Sequence, residues 1–246
     1  PASEEADKVF TSGVQMPQSI YFFDVTGVNE DILGMGFSDG DPDAQAHPVS
    51  GSIVPVPWAS MKQAQVLMTM VDGDGSPLML EPRNVLAHVV KKLDELGLKA
   101  TVACEFEFYL LDKDMDRKGR PQPPINPATG ARETAHEVYG ITELDGFMGL
   151  LKEIDEAAAE QGVPASGATA EFAPGQYEIN LKHSALVIPA GAPPLILLHL
   201  LRPFSRHPPF LPLFFSLSFV QPTRTAIPFL FSPSVSLLPS FLLPLF

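Results

Sequence analysis

The distribution of charge along this 246-residue chain limits which part of it can form a globular domain. Residues 185–246 contain no Asp, Glu or Lys, and 43 of these 62 residues are Phe, Leu, Ser or Pro. The 12 prolines among them remove backbone donors that helices and central strands need. No helical or alternating pattern is present. We therefore expect residues 185–246 to be a low-complexity tail that is either disordered or mistranslated, and the folded part to lie within 1–184.

The tail has three competing interpretations: a membrane span, a linker and a translated noncoding stretch. A membrane span needs about 18 to 20 apolar residues in succession, and the prolines interrupt every such run. A proline-rich linker is normally polar, whereas this segment is rich in Phe and Leu. A message made only of pyrimidines encodes Phe, Leu, Ser and Pro in any frame. The composition therefore favours a translated noncoding stretch, such as a retained intron, or a shifted frame.

The net charge excludes some classes of binding partner, and the cysteine content indicates a cellular compartment. The chain carries 29 acidic and 16 basic residues, a formal net charge of −13, which argues against binding to nucleic acid or to an anionic membrane. Cys104 is the single cysteine, so no internal disulfide can form. Residues 1–10 lack the basic and apolar regions of a signal peptide. We expect a cytoplasmic protein, with residues missing upstream because no initiator Met is present.

The order of predicted elements indicates the fold class. Aromatic and β-branched runs, apolar stripes at helical spacing and turn residues predict strands over Ser19–Val25, Ala64–Val71, Thr101–Leu111, Ala168–Phe172 and Gln176–Leu181, and helices over Glu81–Leu96 and Leu144–Gln161. Pro82 suits the first turn of one helix and Thr142 is the expected N-cap of the other. This order predicts an α+β fold with antiparallel pairing.

Two carboxylates stand within an otherwise apolar strand, VACEFEFYLLD. Residues two apart in a strand face the same way, so Glu105 and Glu107 share one face while Phe106 and Phe108 share the other, which is a core face. A solvated polar face would account for the acidic pair. An interior face would instead call for a divalent cation, because hard oxygen ligands suit Mg²⁺ or Mn²⁺. The spacing alone leaves both interpretations open.

A second acidic pair flanks a predicted hairpin turn in AEFAPGQYEINL. Glu171 precedes the turn and Glu178 follows it, so the two carboxylates can lie opposite each other. A polar outer face is again the alternative. Taken together, the two strand faces supply four carboxylates, which could surround a metal cluster that organises phosphate oxygens.

These motifs, in this order, resemble the glutamine synthetase family. EFEFYLLD is followed about 65 residues later by AEFAPGQYEIN, and the stretch from SDGDPD at Ser38–Asp43 to EPRNVL at Glu81–Leu86 is similar to the γ-glutamylpolyamine (γ-glutamylputrescine) synthetase branch. The resemblance runs from about Lys8 to Ser184.

The resemblance implies a fold and an activity. Residues 1–80 correspond to a partial β-grasp N-terminal domain, and residues 81–184 to the first part of an antiparallel catalytic domain. Members assemble as homo-oligomeric rings. They use ATP to phosphorylate the γ-carboxylate of glutamate, and an amine, either ammonia or a polyamine, then displaces phosphate to form an amide.

The resemblance also implies a role for each matching residue. Glu105 corresponds to a ligand of the metal nearest ATP, and Glu107, Glu171 and Glu178 correspond to ligands of the metal nearest glutamate, which is Mg²⁺ or Mn²⁺. Asp39 corresponds to an acidic loop residue that helps to receive the amine. Its loop reads SDGDPD rather than the FDGSS of glutamine synthetases, which favours an amine other than free ammonia.

The chain departs from the family pattern after INLKHS at Ile179–Ser184. The family's catalytic domain continues with a further His and Glu as metal ligands and with arginines that bind ATP and glutamate. We therefore expect a fragment that is inactive by itself. Two alternatives remain: an ammonia-dependent glutamine synthetase, and a non-catalytic glutamine-synthetase-like protein that acts by association.

Overall fold

The computed structural model describes residues 3–24, 26–32, 37, 40–182, 184–185, 213–219 and 242–245. Its helices are α1 Ser3–Ser12, α2 Pro82–Glu95, α3 Ile141–Gly146 and α4 Met148–Glu160. Its strands are β1 Val14–Pro17, β2 Asp43–Pro48, β3 Val54–Pro55, β4 Ala64–Val71, β5 Thr101–Val102, β6 Cys104–Tyr109, β7 Ala165–Ala170, β8 Gln176–Leu181, β9 Ser184–Ala185, β10 Leu213–Phe219 and β11 Leu242–Leu245. All described strand pairs are antiparallel. The predicted α+β class is confirmed.

The N-terminal sheet is built around β4. Strand order is β1-β2-β4-β11, and β3 also pairs with β4. The near-continuous apolar sequence of β4, AQVLMTMV, matches a strand that is covered on both faces, and Val66 and Leu67 are each 1 % exposed. Its buried side chains form a core with those of α1, the neighbouring strands and adjoining loops: Val9, Ile20, Ala44, Ala46, Val66, Met68, Met70 and Leu78.

The strand predicted over Ser19–Val25 is wrong. A 3-10 turn covers Gln18–Tyr21 instead. The Asp41 carboxylate accepts hydrogen bonds from the Ser19 backbone N–H at 3.1 Å and from the Ser19 hydroxyl at 2.9 Å. A side chain that binds the backbone in this way competes with a strand ladder, so this contact across the loop overrides the local aromatic and β-branched composition.

The second sheet carries the larger core. Its strand order is β10-β6-β8-β7. Phe106 and Phe108 of β6 and Tyr177 of β8 are at most 1 % exposed, and α4 packs Ile154 against them. The strand predicted over Thr101–Leu111 is divided at the buried Ala103. Its first two residues form β5, which pairs with β9, and the rest forms β6.

The second predicted helix is divided at Phe147. This residue has φ −116° and ψ 11° and ends α3 before α4 begins. It is 2 % exposed, and its ring meets Tyr177 edge-on with 5.4 Å between ring centroids. Burial of this ring in the sheet core accompanies the break. Gly140, not Thr142, occupies the N-cap position of α3.

The first predicted helix is present as α2, and Glu81 caps it. The Glu81 carboxylate accepts the backbone N–H groups of Arg83 and Asn84 at 3.2 and 3.0 Å. The apolar stripe of α2 is not buried within the described residues, because Val85 and Val89 are 42 % and 47 % exposed. This helix therefore contributes little to either core.

Two short strands belong to the segment beyond residue 185. β10 pairs with β6 and places Ser218 opposite Glu105 and Ser216 opposite Glu107, and β11 pairs with β4. The rest of 185–246 lies outside the described residues, so the expectation of a disordered or mistranslated tail stays a prediction. Within the described part of the chain, no helix has both the length and the apolarity to span a membrane.

Substitution of Ile154 by Ala tests the packing of α4 on the second sheet. Ile154 is 1 % exposed, and we expect Ile154→Ala to lower the free energy of unfolding by about 2–5 kcal/mol because it leaves a cavity. Glu153→Ala on the exposed side of the same helix is the control and should change it by less than about 0.5 kcal/mol. Urea denaturation followed by circular dichroism measures both, and equal effects would contradict the packing.

Candidate metal centre

The polar face of the second sheet carries the predicted carboxylates. β6 and β8 pair so that Glu107 lies directly opposite Glu178 and Glu105 lies opposite Asn180. Strand alternation places the core aromatics on the other face. All four predicted ligands, Glu105, Glu107, Glu171 and Glu178, are half-buried. The face is therefore neither fully solvated nor interior.

Glu171 reaches this face from the turn between β7 and β8. Its N–H donates to the Gln176 carbonyl oxygen at 2.8 Å, and the Gln176 N–H donates to the Ala173 carbonyl oxygen at 2.9 Å. Gly175 has φ +74°, and a Cβ at this position would lie 2.7 Å from the Leu110 carbonyl oxygen. The turn therefore requires glycine both for its backbone conformation and for its close approach to the end of β6.

The carboxylates interact electrostatically. Burial raises the pKa of Glu178, and repulsion from Glu171, Glu105 and Glu107 raises it further. Burial likewise raises the pKa of Glu171, followed by repulsion from Glu107 and Glu105. In the part of the chain that the structure describes, no Lys, Arg or His forms an ion pair with any of the four. Within the described residues, the face thus carries negative charge that no ion pair balances.

The side chains do not yet converge on one point. Among the described residues, no three His, Cys, Asp or Glu side chains are arranged to hold a metal ion. Two of the carboxylates are instead held by amides: Glu107 Oε2 accepts from Gln176 Nε2 at 2.7 Å, and Glu178 Oε1 accepts from Asn180 Nδ2 at 2.7 Å. The donor set fits a hard divalent cation in its chemistry, and the backbone positions place all the donors at one face.

One residue that supports this site was missed by the sequence analysis. Glu133 lies in the long loop before α3, and its carboxylate accepts from Asn126 Nδ2 at 2.8 Å and from the Gly175 N–H at 3.3 Å. It therefore joins the loop to the turn that carries Glu171, and burial raises its pKa. An ion pair of 2.6 Å between Arg132 and Asp112 closes the same loop. No sequence pattern marks an acid in a Pro- and Gly-rich loop as a partner of a distant turn.

An open cleft of about 280 Å³ lies beside one of the four carboxylates, that of Glu171. Glu171 and Gln176 line it together with Arg132 and Glu133 from the loop. A ligand held at Glu171 therefore has space beside it. Asp39, the predicted amine-binding residue, lies outside the described residues.

Comparison with known proteins identifies the family. Residues 79–191 match the family model described as glutamine synthetase, catalytic domain. The γ-glutamylputrescine synthetase of Escherichia coli is 42 % identical over 195 residues, which cover 79 % of this chain and 41 % of that protein. A glutamate–isopropylamine ligase of Pseudomonas is 31 % identical over 179 residues, covering 72 % of this chain and 38 % of the relative.

A solved structure supports the same assignment for the fold. A crystal structure described as a novel glutamine synthase homolog superposes with a TM-score of 0.64 at 18 % identity, covering 87 % of this chain and 50 % of that one. This chain spans about two fifths of the length of the two curated relatives. The chain belongs to the glutamine synthetase family, and its residues 79–191 match the catalytic domain of that family.

Proposed function

We propose that this chain contributes the carboxylate metal centre of an ATP-dependent ligase that joins the γ-carboxylate of glutamate to an organic amine. The observation that carries the proposal is the shared polar face on which β6, β8 and the hairpin turn place Glu105, Glu107, Glu171 and Glu178. The names of the two relatives, a γ-glutamylputrescine synthetase and a glutamate–isopropylamine ligase, support the reaction class.

The carboxylates divide between two ions in this proposal. Glu107, Glu171 and Glu178 hold the Mg²⁺ or Mn²⁺ nearest glutamate, and Glu105 holds the one nearest ATP. When bound, the ions neutralise negative charge on the phosphate oxygens during transfer to the γ-carboxylate. Rotation of the glutamate side chains is the movement that binding requires, because Glu107 and Glu178 already occupy directly opposed positions.

The proposed second substrate is an organic amine such as a polyamine. Both relatives are named for amines larger than ammonia, and the 280 Å³ cleft beside Glu171 offers space for a carbon chain. Asp39 is proposed to bind the amine as a carboxylate partner for its ammonium form. This role comes from the motif match in the SDGDPD loop.

The proposal also covers the oligomeric state, the cellular compartment and the activity of the isolated chain. The family resemblance supports a homo-oligomeric ring, and the unpaired, buried Cys104 suits a reducing cytoplasm. The 246-residue chain is proposed to be inactive when assayed by itself. The reason is that the chain spans only about two fifths of the length of its curated relatives.

Titration with Mn²⁺, followed by electron paramagnetic resonance of the free ion, tests the metal centre. We expect the chain to bind Mn²⁺, and Glu107→Gln and Glu178→Gln each to weaken binding at least about tenfold, because each removes a charged ligand. Glu153→Gln, which removes the same charge from the exposed side of α4, is the matched control and should bind as the unsubstituted chain does. Absence of Mn²⁺ binding by the unsubstituted chain would refute the proposed centre.

A chimeric protein tests the ligase reaction. Residues 8–184 of this chain replace the aligned part of the E. coli γ-glutamylputrescine synthetase, and assembly is checked by size-exclusion chromatography. We expect phosphate release that requires ATP and glutamate, a rate with putrescine at least about tenfold above that with ammonia, and a loss of at least about 100-fold with Glu178→Gln. These magnitudes correspond to about 1.4 and 2.7 kcal/mol of transition-state stabilisation.

Two results would contradict this proposal. An assembled chimera that releases no phosphate would argue against the ligase function. An assembled chimera that uses ammonia as well as putrescine would argue against the organic amine. The 246-residue chain assayed alone for γ-glutamyl hydroxamate serves as the test of inactivity, and robust turnover there would overturn that part of the proposal.

A further inference from the structure

The side chain of Gln176 is held at both ends of its amide. Its Nε2–H donates to Glu107 Oε2 at 2.7 Å, and its Oε1 accepts the Ala173 N–H at 3.0 Å. Both distances are those of well-formed hydrogen bonds. Because the amide oxygen is already bound to the backbone of the turn, the amide has one orientation, and its NH₂ group points at the carboxylate.

The backbone of Gln176 is tied to the same turn. Its N–H donates to the Ala173 carbonyl oxygen and its carbonyl oxygen accepts the Glu171 N–H. Gln176 therefore contacts two of the proposed ligands by different routes, Glu171 through the main chain and Glu107 through the side chain. It lies opposite Tyr109 in the β6–β8 ladder, two positions along from the pair formed by Glu107 and Glu178 and on the same face of the sheet.

The chemistry of an amide suits this position. A Lys or Arg could also orient Glu107, but it would neutralise the negative charge that attracts a cation. The amide is neutral, so it fixes one carboxylate oxygen by a charge-assisted hydrogen bond and leaves the net charge of the face unchanged. The other oxygen of Glu107, Oε1, remains for an ion. Partners of this kind orient metal ligands and contribute to metal affinity.

We propose that Gln176 is a positioning residue for the metal nearest glutamate. It fixes the carboxylate of Glu107 relative to the turn that carries Glu171, and it is not itself a ligand. This inference rests on the proposed function, and it adds a residue that acts through a ligand.

Substitution of Gln176 by Met tests the inference, because Met retains the length of the side chain and removes both amide hydrogen bonds. We expect Gln176→Met to weaken Mn²⁺ binding about 10- to 100-fold in the electron paramagnetic resonance titration. Gln122→Met is the matched control. Gln122 Nε2 donates to the Asp114 carbonyl oxygen at 2.9 Å in the long loop, so its loss should leave Mn²⁺ affinity unchanged.

A double-mutant cycle separates positioning from a general effect on the fold. If Gln176 acts through Glu107, then Gln176→Met should weaken binding much less in a Glu107→Gln background than in the unsubstituted chain. Additive losses would show a structural role and overturn the inference. Circular dichroism without metal confirms that each variant is folded at the titration temperature.

Three further outcomes are an unfolded variant, unchanged Mn²⁺ binding by the variants and no binding by the unsubstituted chain. If Gln176→Met is unfolded, Gln176→Asn takes its place, because an amide one methylene shorter cannot reach both Glu107 and Ala173, and the same loss is expected. Mn²⁺ binding by these variants equal to that of the unsubstituted chain overturns this inference and leaves the proposed function standing. Absence of binding by the unsubstituted chain overturns the proposed function, and this inference with it.

Discussion

The antiparallel pairing of β6 with β8 is the constraint on which the second sheet and its core depend. Alternation along these strands gives each of them one apolar and one polar face, and their register brings the two apolar faces together above α4. The same register sets Glu107 against Glu178. A shift of one residue would exchange the two faces, so the packing of the core also fixes the position of the carboxylates.

The opposed carboxylates destabilise the sheet, but they also supply the negative charge that the proposed metal binding needs. Like charges directly opposite each other destabilise a strand pair, and burial with mutual repulsion raises the pKa of both Glu171 and Glu178. The aromatic core on the opposite face, where Phe106, Phe108 and Tyr177 are almost fully buried, offsets that cost. Amide side chains on the polar face bind the carboxylates without neutralising them, which keeps the charge available for a cation.

The sequence predicted those elements whose cause is local. The apolar run of β4, Pro82 in the first turn of α2, and the alternation of β6 and β8 are present as expected. The elements that differ depend on distant contacts: Asp41 binds Ser19 and replaces a strand with a 3-10 turn, and Phe147 interrupts a helix where its ring enters the core.

The candidate site likewise contains some residues whose positions follow from local sequence and others whose positions depend on distant contacts. The period of the strands predicted which residues share the polar face, and the structure places Glu105, Glu107 and Glu178 on adjacent strands accordingly. Glu133 could not be predicted, because its hydrogen bond to Gly175 joins positions 42 residues apart. The binding of Glu107 by Gln176 across 69 residues likewise depends on the pairing of β6 with β8, and no local pattern encodes it.

The anomalous diffraction of a crystal of this chain grown with Mn²⁺ tests the central claim most directly. The account predicts an anomalous peak between Glu107, Glu171 and Glu178 at ordinary metal–oxygen distances, with the carboxylates rotated toward it and the Gln176 amide still bound to Glu107. Carboxylates that remain separated, with no peak on this face at saturating Mn²⁺, would contradict it.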